Sequence, residues 1–159
     1  MFDSQRLSDL QEILELRYEQ LGVFRKQLAM TASVPEKFQL RQTIKREILP
    51  DIRQSEKEYW KIYPLETIVV SEDEATAQLA LVSEAVESFD KASNTEYAEE
   101  LILLLNEIRR LLEDLTQPAS AKLKVALPLI PAIASYEIEM ETSGLMNKAW
   151  ESIKGMTRR

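Results

Sequence analysis

The chain of 159 residues contains no histidine and no cysteine, and it has only three glycines. Without histidine and cysteine it cannot build the usual zinc and haem sites, a Ser-His-Asp triad or a catalytic thiol. Its glycines, Gly22, Gly144 and Gly155, are far apart in the sequence, so they form no glycine-rich loop to hold a phosphate group. The sequence therefore predicts no catalytic, cofactor-binding or metal-binding residues, and a non-enzymatic function.

Two further absences concern the membrane and the compartment. The first ten residues, MFDSQRLSDL, have no apolar signal-peptide core. No apolar stretch reaches the roughly 18 residues that a transmembrane helix needs. The lack of cysteine also excludes a small secreted scaffold stabilised by disulfides. Together these absences predict a cytoplasmic protein without a conventional transmembrane helix.

The charge is unevenly distributed along the chain. Residues 1–65 hold 11 basic and 10 acidic residues, a balance of +1, whereas residues 66–159 hold 9 and 17, a balance of −8. An acidic second half disfavours binding to the phosphate backbone of a nucleic acid. Hydrophobic residues make up 45% of the chain, which is enough for a folded core. We therefore predict a folded protein without a nucleic-acid partner.

Apolar residues recur every seven positions near the amino terminus, with a second set between them. The first set is Leu7, Leu14, Leu21 and Leu28, and the second is Leu10, Arg17 and Phe24. This heptad pattern predicts a helix over about Ser4–Met30 with one coiled-coil-like contact face. Arg17 is the one charged residue at a core-type position, and we expect its guanidinium to reach Glu47 or water.

A second helix is predicted after a short break at 31–35. Its apolar residues are Phe38, Ile44, Ile48, Ile52, Tyr59 and Ile62. Two helices joined by a short loop are expected to fold back as an antiparallel hairpin, with Leu28 opposite Phe38. Pro50 should kink the second helix, and Pro64 should end it.

The acidic region 65–159 is predicted to form a bundle of three to four helices. One helix begins at the capping box of Ser71 and Glu74 and runs to about Lys91. The next is capped within 93–95, and a last one spans about 143–156. The segment 122–142 fits either an irregular helix or a short β-hairpin. The predicted fold is therefore all-α, with a coiled-coil-like hairpin over 1–64 packed with a bundle over 65–159.

Aromatic residues gather at the end of the predicted hairpin. Tyr59, Trp60 and Tyr63 fit a buried core, because large rings fill such positions. They also fit a contact with a partner, because aromatic residues are enriched at interface hot spots. We treat these three residues and Arg17 as candidate partner-binding residues.

The run 125–136 is apolar but too short to span a bilayer. A buried core segment is one interpretation. The alternative is a membrane contact through Leu127, Leu129, Ile130 and Ile133. The glutamates that follow, Glu137, Glu139 and Glu141, are interpreted as a solvated face.

Several short segments of the chain share features with one class of helical module. They are Leu21-Gly22, Glu36-Lys37-Phe38, Ile44-Lys45, Glu58-Tyr59-Trp60 and Leu127-Pro-Leu-Ile-Pro131 followed by Ser135-Tyr136-Glu137. In the first four of these features residues 16–63 resemble helical modules of bacterial conflict and programmed-cell-death proteins, and the last resembles a recurring tail of such modules. Such modules accompany NTPase, TIR, caspase-like or similar effector domains. The resemblance implies homotypic or heterotypic adaptor contacts, and in some architectures a membrane-acting helical bundle.

These observations lead to one preferred function and one alternative. The preferred function is a non-enzymatic adaptor that binds another protein in bacterial defence or cell-death signalling. Its expected partner is an effector or NTPase component, with homo-oligomerisation as a further option. The alternative is a membrane-perturbing helical bundle that uses the apolar segment 125–136.

Overall fold

The structure is a computed structural model that describes residues 2–92, 96–142 and 144–157. These residues form helices and connecting segments, and no strand occurs among them. The chain divides into two compact units, Met1–Tyr63 and Pro64–Arg159. The predicted all-helical class is therefore confirmed for the described part of the chain.

The amino-terminal unit is a pair of antiparallel helical segments. Its elements are α1 (Phe2–Met30), α2 (Val34–Thr43), a π-helical turn (Ile44–Ile48) and α3 (Leu49–Ile62). The chain reverses at residues 31–33, where the Ser33 hydroxyl accepts a hydrogen bond from the Glu36 N–H at 3.3 Å and caps α2. α1 then packs against α2, the π turn and α3 in succession.

Pro50 changes the helix in the turn that precedes it. Proline has no N–H to donate, and its ring crowds the carbonyl group four residues earlier. The Leu49 N–H accordingly bonds to the Ile44 carbonyl, five residues back, and residues 44–48 form a π turn. The predicted disturbance at Pro50 is thus a widened turn inside a helix that continues to Ile62.

The predicted facing pair of Leu28 and Phe38 is wrong. Phe38 is 60% exposed, and Leu40 is buried in its place. Each residue advances about 100° around a helix, so Phe38 lies roughly 240° from Ile44 and cannot share its buried face. Leu40 is four residues from Ile44 and does share it.

The carboxy-terminal unit is a helical bundle. Its elements are α4 (Glu72–Lys91), α5 (Glu99–Glu113), α6 (Ala119–Ala126), α7 (Leu129–Met140) and α8 (Leu145–Thr157), and a 3-10 turn (Leu65–Thr67) comes before α4. The predicted capping box at the start of α4 is confirmed, because Ser71 and Glu74 bond each other's backbone N–H groups. The predicted cap within 93–95 lies outside the described residues.

The segment 122–142 is helical, so the alternative of a short β-hairpin there is wrong. α6 ends at Ala126, and α7 begins at Leu129 after a short turn. Pro128 stands just before α7 and Pro131 lies in its first turn, where the missing N–H costs no helical hydrogen bond. The two prolines therefore separate two helices without preventing either one.

Candidate interaction surface

α1 carries two rows of residues at heptad spacing, one apolar and one mainly apolar, and only the first is buried within the hairpin. The buried row includes Leu10, Leu14 and Leu21, which are at most 4% exposed. The second row begins one position earlier in the heptad and follows the same spacing of three and four residues. We call it the outer row, and it comprises Ile13, Leu16, Gln20, Val23, Gln27 and Met30.

The outer row is open to solvent for most of its length. Leu16 is 60% exposed, Val23 49% and Met30 75%. These three apolar residues are seven positions apart, so they lie along one side of α1. This row was not predicted from the sequence, because the neighbouring leucine heptad has more apolar residues and was taken as the contact face of the helix.

A groove of about 530 Å³ lies between α1 and α3 at one end of the outer row. Its apolar part is formed by Leu10, Ile13 and Leu16 of α1. The polar residues that line it are Arg6, Arg17, Gln20, Asp51, Gln54, Ser55 and Glu58. The groove therefore combines an apolar strip with a rim of both charge signs.

Two ion pairs join α1 to α3 across this groove. Arg6 pairs with Glu58, with its second nitrogen 2.8 Å from Glu58 Oε1. Hydrogen bonding from the Arg6 side chain holds the pKa of Glu58 below its usual value, and the same bond raises the pKa of Arg6. Both side chains consequently stay charged at neutral pH.

Arg17 is positioned differently from the prediction. Its Nε lies 2.5 Å from Asp51 Oδ2, and its Nη1 donates to Gln20 Oε1 at 2.8 Å. The predicted contact with Glu47 is replaced by Asp51, which is one turn further along the second helical segment. The Arg17 side chain is 36% exposed, so one face of it remains accessible at the groove.

The aromatic candidates form a cluster at the end of α3. The ring centroids of Tyr59 and Trp60 are 4.9 Å apart, and Tyr63 lies 5.5 Å and 5.2 Å from them. Tyr59 is 4% exposed and Trp60 2%, whereas Tyr63 is partly exposed. In this conformation Tyr59 and Trp60 belong to the core, and Tyr63 is the aromatic candidate that a partner can reach.

A buried glutamate, Glu56, fixes the position of two of the rings on this unit. Its side chain is 1% exposed and accepts a hydrogen bond from Trp60 Nε1 at 2.8 Å. The Tyr18 hydroxyl donates to the same carboxylate at 3.2 Å. The Glu56 carboxylate therefore connects α3 to α1 through Tyr18, which does not belong to the outer row.

Glu137 has a structural role that was not predicted from the sequence. It is 2% exposed, and its carboxylate accepts hydrogen bonds from the Met146 N–H at 2.7 Å and the Asn147 N–H at 2.9 Å. The Asn147 side-chain amide donates a third bond at 2.9 Å. A negative group at the start of α8 is favourable there, because the free N–H groups carry partial positive charge. The interpretation of Glu137 as part of a solvated face is wrong.

The four residues proposed for membrane contact all lie in the interior. Leu127, Ile130 and Ile133 are fully buried, and Leu129 is 8% exposed. Each would have to leave the bundle before it could touch a lipid. Among the described residues, no helix has both the length and the apolar character needed to cross a bilayer.

The remaining perturbed pKa values are explained by hydrogen bonds or by burial within the carboxy-terminal unit. Hydrogen bonding from the Ser120 hydroxyl lowers the pKa of Glu72, which also accepts the Ala119 N–H at the start of α6. The Thr116 hydroxyl lowers the pKa of Asp114 in the same way. Burial raises the pKa of Tyr97, whose hydroxyl donates to the Phe89 carbonyl at 2.8 Å. In the described ranges, no group of three or more acidic residues is arranged to hold a metal ion.

Comparisons with protein-family models, with curated proteins and with solved structures give no match for this chain. The candidate surface is therefore interpreted from its own geometry. That geometry offers an apolar row on one helix, a neighbouring groove and a charged rim.

Proposed function

We propose that this chain is a non-enzymatic protein–protein interaction module whose contact surface is the outer row of α1. The observation that carries the proposal is the exposure of Leu16, Val23 and Met30 at heptad spacing. Such spacing is what a helix needs in order to bury its apolar side against another helix.

The arrangement of the exposed residues matters more than their number. Single exposed apolar side chains are normal on protein surfaces. Three of them lie on one side of α1, since residues seven apart lie almost above one another, and Gln20 and Gln27 fill the row between them. The groove at Leu10 and Ile13 continues this row and gives a partner side chain a concave place to pack.

The charged rim is suited to selecting a partner. Arg17 and Asp51 hold each other in place, so their remaining hydrogen-bonding atoms are fixed in direction before a partner arrives. Tyr63 adds a partly exposed aromatic ring on the same unit. In this proposal the hairpin acts as a coiled-coil-like platform, with one row of α1 building the unit and the other binding.

The biological setting of the proposal comes from the resemblance of residues 16–63. We propose that the module works as an adaptor in bacterial defence or cell-death signalling, where it would recruit an effector or NTPase component. An effector gene beside the gene for this chain would support that setting. A neighbourhood made only of metabolic enzymes would contradict it.

A paired substitution tests the contact surface. The double variant Leu16→Glu and Val23→Glu places charge on the outer row, and both positions are already exposed, so the hairpin should keep its fold. We expect the variant to lose the proteins that tagged wild-type chain retains from its host. The control is Leu103→Glu, an equally exposed leucine on α5 of the other unit, which should retain them. Equal retention by both variants would contradict the proposal.

A further inference from the structure

We propose that the occupant of the outer row is a second copy of this chain, with the two α1 helices paired antiparallel. This inference rests on the proposed function, because it names the partner of the same surface. It rests on two observations, which are the heptad spacing of the row and the opposite charges of its two halves.

The charges of α1 favour an antiparallel partner of its own kind. Within the part of α1 that carries the outer row, residues 13–21 contain two acidic residues and one arginine, a balance of −1, whereas residues 22–30 contain two basic residues, a balance of +2. A parallel pair would place the two acidic halves side by side. An antiparallel pair places each acidic half against a basic half, which lowers the electrostatic energy of the pair.

One antiparallel alignment pairs the two apolar ends of the row with each other and brings opposite charges together at its edge. When the position numbers of facing residues sum to 43, Ile13 faces Met30 of the second copy and Leu16 faces Gln27. At the edge of the row, Glu19 then lies close to Lys26 of the second copy. The two-fold axis repeats each of these contacts, as a closed dimer requires.

The neighbouring alignment is less favourable. When the position numbers sum to 36, Ile13 faces Val23, but Met30 faces the charged Arg6 and Glu19 lies near its own symmetry mate. Like charges at that distance repel each other, and an apolar side chain gains little against a guanidinium. The first alignment is therefore the one that we assign.

The expected dimer is weak. The paired region covers residues 13–30, or about five helical turns, which is a short contact. Small interfaces of this kind typically form transient complexes, so we expect dissociation in the micromolar range. Dimers should thus appear only as the concentration of the chain is raised.

Charge reversal tests the assigned alignment. In sedimentation equilibrium, Lys26→Glu and Glu19→Lys should each weaken dimerisation about tenfold, because each change turns two attractive contacts into repulsive ones. The double variant in one chain restores opposite charges at both contacts and should recover most of the wild-type affinity. A double variant weaker than either single variant would overturn the alignment.

Disulfide trapping gives a second, independent test. The wild-type chain has no cysteine, so any disulfide that forms must join the introduced cysteines. Leu16→Cys chains mixed with Gln27→Cys chains should form a mixed disulfide under mild oxidation, whereas either variant alone should remain largely uncrosslinked. Efficient crosslinking of Leu16→Cys with itself would indicate parallel pairing and would overturn the proposal.

The failure of self-pairing can be distinguished from the failure of the proposed function. A wild-type chain that stays monomeric at high concentration overturns the second-copy inference. If Leu16→Glu with Val23→Glu nevertheless abolishes retention of a different protein, the interaction function stands with another partner. Monomeric behaviour together with unchanged retention would remove both.

Discussion

The two units of this chain expose comparable apolar side chains but arrange them differently. In the carboxy-terminal unit the exposed apolar residues are dispersed over several elements: Val69, Leu81, Ile102, Leu103, Leu115 and Val125. In the amino-terminal unit, three of them repeat along one side of one helix. Exposure alone therefore does not identify a binding surface, and the proposed surface rests on exposure at the spacing of a helical contact.

A buried carboxylate has a structural role in each unit, Glu56 in the first and Glu137 in the second, and the units differ in the paired charges beside the groove. Glu137 accepts hydrogen bonds from free N–H groups at the start of α8, so it stabilises the unit to which it belongs. The paired charges at the groove of the amino-terminal unit lie at the surface and remain accessible. We interpret the carboxy-terminal unit as a structural bundle and the amino-terminal unit as the binding surface.

The largest expected change in stability comes from shortening a leucine of the buried row, and the same change on the outer row should have little effect. Leu14 is 1% exposed on the buried row, so Leu14→Ala should lower the free energy of unfolding by about 3 kcal/mol through lost burial and a cavity. Leu16→Ala, on the outer row, should lower it by less than about 0.5 kcal/mol. Urea denaturation of the two variants measures both values. Equal losses would show that the outer row is also part of the core.

Sequence reasoning succeeded where a single pattern controlled the structure. The capping box at Ser71 and the break before Pro35 depend on local bonding, which a few neighbouring residues determine. It failed at Phe38 because burial depends on which side of the helix meets its neighbour, and the sequence did not fix that angle. The segment 122–142 fitted both an irregular helix and a short β-hairpin, because a short apolar run does not by itself distinguish the two.

The candidate surface was harder to predict than the fold. The leucine heptad predicted the contact face, whose residues Leu10, Leu14 and Leu21 are buried, but the outer row has the same spacing and fewer apolar residues and was missed. Nor can it pair Glu137 with the start of α8, because that contact depends on how the turn between α7 and α8 places the two helices. Arg17 was correctly singled out, but its partner is Asp51.

The second-largest expected loss of stability tests the structural role of Glu137 in the carboxy-terminal bundle. Glu137→Gln replaces a carboxylate that accepts three hydrogen bonds with an amide that presents a donor to the same N–H groups. We expect the free energy of unfolding to fall by about 2 kcal/mol. The control is Glu107→Gln on the exposed side of α5, which should change it little. Thermal denaturation followed by circular dichroism measures both, and an unchanged Glu137→Gln would contradict this role.

A smaller effect is expected at the start of α4. Ser71→Ala removes the hydroxyl that accepts the Glu74 N–H at 3.1 Å, and the loss of such a cap costs about 1 kcal/mol. The control is Thr76→Ala, at an exposed position within the same helix, where the lost hydroxyl donates only to the Glu72 carbonyl of the preceding turn. It should not lower the stability, because alanine is the better helix former. Since the cap lies in the structural bundle, Ser71→Ala should leave dimerisation unchanged in the same preparation.

The smallest effect is the pH dependence of the groove. Arg6 holds the pKa of folded Glu58 below its unfolded value, so the pair stabilises the fold above the usual glutamate range. That contribution is lost as the pH falls through the lowered pKa of Glu58. A double-mutant cycle with Arg6→Gln and Glu58→Gln should therefore show coupling at neutral pH that fades on acidification. Coupling that persists in acid would show that the two charges do not interact as described.

The most direct test of the two-row account is methyl NMR of the full chain, recorded from dilute to concentrated solution. The account predicts that the methyl signals of Leu16, Val23 and Met30 shift with concentration, while those of the buried Leu14 and Leu21 stay in place. Shifts confined to exposed residues of the other unit, such as Leu103 and Leu115, would contradict it. So would spectra that do not change with concentration at all.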